Sequence, residues 1–110
     1  MDSYNVIITE KALQQLEDHI SYIENQLRNP QAAQSVWQDA MGTRKQLELA
    51  AGSLRLCGHW KLRRIGYRSI PFLRHNYIMV YRIEGNDVYV DGVYHQLQDY
   101  EKMFAHEISF

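Results

Sequence analysis

The side chains best equipped for chemistry in this chain are His95 and the cations and tyrosines that accompany it. Cleavage of RNA through its own 2′-hydroxyl needs a base, an acid for the departing oxygen, and cations for the charge that builds on phosphorus. His95 closes a strand-like run and titrates near neutrality, so it could serve as base or acid. Arg68, Arg74 and Lys61 could hold the phosphate, the arginines in a bidentate grip. Tyr94 or Tyr100 could stack on a base. The same residues also suit a structural role, with a histidine hydrogen-bonded at a sheet edge and tyrosines packed across strands.

Charge singles out a longer stretch. Between Ser53 and Ile83 the chain has seven Lys or Arg residues and no Asp or Glu. They are Arg55, Lys61, Arg63, Arg64, Arg68, Arg74 and Arg82, with His59 and His75 among them. Outside that window five basic residues face thirteen acidic ones, so a formal net charge of −1 conceals a polarised molecule. A local basic patch focuses potential on anionic partners even when the whole protein is near neutral. Cations spread over the solvent face of a sheet would give the same count. Both readings stay open at this point.

Other chemistries lack their residues. The histidines His19, His59, His75, His95 and His106 show no helical ligand spacing and no cysteine partner, so no metal site is expected. Glu10, Glu17, Asp18 and Glu24 fall on the polar side of a helical pattern, which does not suggest paired-acid catalysis. The six glycines are scattered rather than gathered in a phosphate-binding loop, and no motif calls for a small-molecule cofactor. A single cysteine, Cys57, excludes a disulfide framework, fits a reducing cytosol, and reads as a small buried hydrophobe. Trp37, Trp60 and the stripe Tyr77, Met79, Tyr81 read as core or helix-packing residues.

These residues must be positioned by one domain, since 110 residues suffice for a single core spanning 1–110. The N-terminus lacks a basic segment followed by an apolar run, and the apolar stretch at 77–81 is far too short for a membrane span. The expectation is a soluble cytoplasmic domain. Residues 4–9 alternate and β-branch, predicting a strand, with Thr9 placed to cap a helix. Ala12, Leu13, Leu16, Ile20, Ile23 and Leu27 recur at helical steps until Asn29-Pro30 interrupts. Asn29 can then cap a second helix that carries Ala33, Val36, Trp37, Ala40, Leu47 and Ala51 and stops at Gly52. The two make an antiparallel helical hairpin.

Beyond the hairpin the rhythm changes. Trp60–Ile65 and 67–73 look extended, and 77–83 is apolar on both faces, as a central strand should be. A turn at 84–87 leads into a strand over 88–95, and Asp99 can cap a short last helix. The predicted order β-α-α-β-β-β-α gives an α+β fold: an N-terminal strand and helical hairpin on a mostly antiparallel four-stranded sheet, with a short C-terminal helix. The helices cover one sheet face in this scheme, leaving the other face or its rim to carry Arg and Lys.

The order and spacing of these pieces resemble the RelE/ParE superfamily of toxins from bacterial type II toxin–antitoxin modules. The resemblance runs from Tyr4 to Tyr100. It covers the opening Tyr4-Asn-Val-Ile-Ile-Thr-Glu-Lys-Ala12 with Leu16, and Asn29-Pro-Gln-Ala-Ala33. It continues through Gly66-Tyr67-Arg68, Asn76-Tyr-Ile-Met-Val-Tyr81-Arg-Ile83, Val93-Tyr-His95 and Asp99-Tyr100. It implies a growth-arresting toxin, of the kind that stabilises plasmids, neutralised by a cognate antitoxin that covers its surface.

Two targets are implied by the two branches of the superfamily. RelE-like members cut messenger RNA on the ribosome, whereas ParE-like members inhibit DNA gyrase by binding. The RelE pattern has arginines where this chain has Ile78 and Gln96. His95 matches a catalytic histidine of related ribonucleases and a histidine of ParE-like proteins alike. The longer hairpin and the His95-x-x-x-Asp99 ending resemble ParE, so gyrase inhibition is the expected mode. In either mode the residues expected to meet target or phosphate are Lys61, Arg63, Arg64, Arg68, Arg74, Arg82, Tyr94 and Tyr100. The alternatives are mRNA cleavage with His95 as acid or base, and a decayed toxin that binds only antitoxin. The end of the chain, residues 105–110, matters in ParE-like relatives and is a further candidate contact.

Overall fold

The computed structural model describes residues 3–108. β1 (Asn5–Ile8) leads into α1 (Glu10–Ser21), where the Thr9 hydroxyl accepts from the Ala12 N–H at 3.3 Å, as an N-cap should. A π-helical turn at Tyr22–Gln26 ends this helix. Asn29 then caps α2 (Pro30–Ala50) by accepting from Ala32 N–H at 3.1 Å, and Pro30 fills the first helical position. A short 3₁₀ turn, Ala51–Ser53, closes the hairpin's second arm. α3 (Trp60–Ile65), β2 (Arg68–Pro71), β3 (Tyr77–Glu84), β4 (Asp87–His95) and α4 (Tyr100–Glu107) follow among the described residues.

The strands lie in the order β1-β4-β3-β2, with β1 parallel to β4 and the other pairs antiparallel. The β3–β4 hairpin turns at Gly85, whose φ of 60° suits glycine. A register shift leaves Asp91 unpaired between Gly92, opposite Val80, and Val90, opposite Tyr81.

Alternation along the central strands divides the interior in two. Met79, Tyr81, Val88, Val90 and Val93 belong to a core shared with Ala12, Leu16, Val36, Ala40 and Leu47 of the hairpin. Ile78, Val80, Tyr94 and Tyr67 belong to a second core with Leu62 of α3 and Phe104 of α4. Gly92 makes this second layer possible: a Cβ there would lie 2.7 Å from the Tyr94 ring and 3.3 Å from Phe104.

The structure departs from three expectations of the sequence. Trp60–Ile65 is helical, not extended. The His59 ring nitrogen accepts from Lys61 N–H at 3.2 Å, and Gly66 ends the helix at φ 106° with its N–H on Leu62 carbonyl. Only Leu62 is fully buried in this run, which is too short to display a helical period. The second sheet face is also no open bed for cations, because α3 and α4 cover it. Trp60 and Trp37, read as core or helix-packing residues, are 69% and 40% exposed.

Candidate functional site

His95 sits where β4 ends, directly opposite Tyr77 at the start of β3. Their rings meet edge-on with centroids 5.3 Å apart, and His19 of α1 meets Tyr77 from another side at 5.0 Å. The His19 Nε2–H donates to the Val93 carbonyl at 3.1 Å, since a carbonyl can only accept. His95 has a different bond: its Nδ1 accepts from the Leu97 N–H at 3.1 Å. The neutral ring therefore carries its proton on Nε2. Beside it, Gln96 donates from Nε2 to the Tyr77 carbonyl at 3.0 Å. Burial pushes the Tyr77 phenol up from its ordinary value.

The neighbouring β2–β3 turn is held by a residue the sequence reading overlooked. Asp39, buried on α2, accepts from the N–H groups of Leu73, Arg74 and His75 at 3.1, 2.9 and 2.8 Å. His75 Nδ1 lies a further 2.8 Å away, and its Nε2 approaches the Ser35 hydroxyl at 3.4 Å. Burial would raise the Asp39 pKa, but the His75 side chain and the two flanking N–H donors outweigh it and hold the carboxyl below its usual range. The signal was an acid three residues after Val36 and next to Ala40, on the inward side of an apolar helix face.

The basic window does not assemble into one patch. The Lys61 ammonium donates to the Ala105 and Ile108 carbonyls at 2.8 and 3.1 Å, satisfying the C-terminal end of α4. Arg68 donates to the Leu54 carbonyl. Arg82 pairs with Asp91 at 2.9 Å and Glu84 at 2.7 Å, and stacks on the Tyr89 ring at 4.5 Å. These three hold the fold together. Arg63 and Arg64 are exposed on α3, and Arg74 is exposed on the β2–β3 turn; none makes a side-chain hydrogen bond or ion pair among the described residues. Arg74 and the α3 pair flank β2 on opposite sides in sequence, a strand roughly 13 Å long for its four extended residues.

The tyrosines are similarly engaged. Tyr94 is buried, and its hydroxyl donates to Glu107 at 2.8 Å, so no ring face remains for a base. Tyr100 is half-buried against the second core, and burial pushes its phenol up. Glu107 also pairs with Lys11 at 2.7 Å. Of the terminal segment 105–110, residues 109 and 110 lie outside the described residues, while Ala105 is buried and Ile108 packs on the second core.

Two open grooves flank the sheet. One, of about 460 Å³, lies along the hairpin by Ile20, Ala33 and Trp37, with Glu17 and Glu24 beside it. The other, of about 640 Å³, runs between α3 and α4 past Trp60 and Met103. No helix among the described residues is long and apolar enough to cross a membrane.

Comparison with known proteins gives the following. The family model for the ParE toxin of the type II toxin–antitoxin system, parDE, matches residues 6–100. Among solved structures, a chain of the chromosomal ParDE TA system from P. aeruginosa is similar with a TM-score of 0.70 and 19% identity, over 84% of this chain and 96% of that one. At that identity the likeness speaks for the fold alone. No curated protein matches the chain.

Proposed function

The chain belongs to the family of ParE toxins of type II toxin–antitoxin systems, and from that premise we propose that it arrests growth by binding DNA gyrase, with no chemistry of its own. Its other partner is the cognate antitoxin of the module. The observation that carries the proposal is the engagement of His95 and its neighbours. A ribonuclease of the superfamily would need cations at the positions of Ile78 and Gln96. Ile78 is buried in the second core, and Gln96 is engaged with the Tyr77 carbonyl. His95 has its Nδ1 occupied by the Leu97 N–H and its Nε2 already protonated when neutral. With that bond on one side and the Tyr77 ring on the other, the imidazole is fixed in the turn. Lys61 and Arg68, which could have gripped a phosphate, are bound to backbone carbonyls.

A histidine fixed in this way stabilises a turn, and an inhibitor that acts by binding asks nothing more of it. The test runs purified toxin side by side in gyrase supercoiling and in coupled cell-free translation. Blocked supercoiling with intact message is the expected result. Message cut only when ribosomes are present would replace the proposal with ribosome-dependent cleavage, and toxin that does neither would point to a decayed module.

A further inference from the structure

We infer that the outer face of α3, with the groove beside it, is the surface through which this toxin docks on its folded protein target, and that the target offers there an apolar pocket rimmed by carboxylates. The inference rests on the reading of the chain as a toxin that acts by binding, and it assigns that binding a place.

Arg63 and Arg64 lie three and four residues after Trp60, so the helix gathers them on one side, while Leu62 belongs to the second core. Trp60 is 69% exposed, touched on one flank by the His59 ring with centroids 6.1 Å apart and planes 22° from parallel. An indole left in water gains nothing for folding, and tryptophan and arginine are the residues on which interface energy concentrates. Arg63 and Arg64 lie in the last turn of α3, where they suit the helix dipole, but neither has an ion pair among the described residues.

Next to this ridge the α3–α4 groove has Met103 and Ala105 in its lining, with Lys61, Lys102 and His106 around them. Two acids also line it, Asp99 and Glu107. Glu107 is paired with Lys11, and Asp99 offsets Lys102 in formal charge, so the net charge offered to a partner is that of Arg63 and Arg64 on the ridge. The hairpin groove, lined by Glu17 and Glu24, is acidic. A partner with acidic rims matches the α3 ridge and is repelled by the hairpin groove.

An exposed indole is buried most fully in a preformed pocket on a folded surface, the setting in which tryptophan anchors contribute most. The ridge is also held in place beforehand. Lys61 fastens α3 to the end of α4, and the His59 N–H donates to Glu101 at 2.7 Å. A preorganised surface loses little entropy on docking.

The experiment expresses the full chain as wild type, Trp60→Ala, the double variant Arg63→Ala/Arg64→Ala, and Trp37→Ala as a control on the other groove. It records viable counts after induction, melting temperature, capture by the cognate antitoxin, and oligomeric state by sedimentation. We expect Trp60→Ala and the double variant to lose at least tenfold in killing, with melting and antitoxin capture unchanged and Trp37→Ala still toxic. Undiminished killing by both would overturn the inference. So would a parallel loss of antitoxin capture, which would give the surface to the antitoxin, or a dimer dissolved by Trp60→Ala, which would give it to a second copy. Because killing is read in cells, a wild type that kills without touching supercoiling sinks the gyrase reading alone. A wild type that does not kill sinks both.

Discussion

Asp39 and His75 are 36 residues apart in sequence, yet a carboxylate oxygen of the first lies 2.8 Å from the ring nitrogen of the second. With three backbone N–H groups on the same carboxylate, this contact ties the middle of α2 to the turn between β2 and β3. Asp39→Asn removes the charge from a site arranged wholly of donors. It should cost about 2–3 kcal/mol, as expected for a buried, charge-assisted cluster left with unpaired groups. Urea unfolding at neutral pH measures this.

The same cluster sets a pH dependence. The Asp39 carboxyl titrates below its ordinary value in the folded protein, so the unfolded chain binds its proton first as pH falls. Its stabilisation is present in full above about pH 4, the ordinary aspartate value, and fades as pH drops through the lower folded value. Melting temperatures of wild type and Asp39→Asn should therefore converge below that point and stay apart above it.

Gly92→Ala tests the second core. The new methyl would meet the Tyr94 ring at 2.7 Å and Phe104 at 3.3 Å, so α4 must shift outward or the strand must bend. The expected cost is about 1–3 kcal/mol, typical of overpacking. Faster amide exchange in α4 than in the hairpin helices would locate the damage.

His95→Ala separates binding from cleavage. The variant loses one hydrogen bond from Leu97 N–H at a half-exposed turn, about 1 kcal/mol or less. Killing should stay within a few-fold of wild type. A loss of two or more orders of magnitude in a folded variant would place His95 in the reaction.

Cys57 should be inert in the native state. Burial, reinforced by the nearby Glu101, pushes its thiol up to about 12, which leaves almost no thiolate at neutral pH. Thiol reagents should label it only at the rate of unfolding; rapid labelling of native protein would contradict the packing described.

Elements with strong local signals were legible in the sequence. Thr9 and Asn29-Pro30 marked the starts of both hairpin helices, and the apolar run at 77–83 proved central because both its faces are buried. What local pattern could not reveal was pairing at a distance. Trp60–Ile65 shows one buried side chain, so neither a helical nor a strand period can emerge from it. The charge count of the basic window was correct, but Lys61, Arg68 and Arg82 find backbone and acidic partners only in three dimensions. Asp39 falls on the inward side of α2 already in the sequence, but the turn it holds becomes visible only in three dimensions.

The pairing of β1 with β4 has a bearing on timing. Asn5 lies beside Asp87, so the first strand finds its neighbour only after most of the chain exists. Long-range pairing of this kind makes folding slow, since a large loop must close before its contacts repay the entropy. Nascent chains therefore lack a finished sheet until β4 has emerged, and α4, made after it, closes the core beneath α3. The toxic fold thus exists only once nearly all of the described residues have been made.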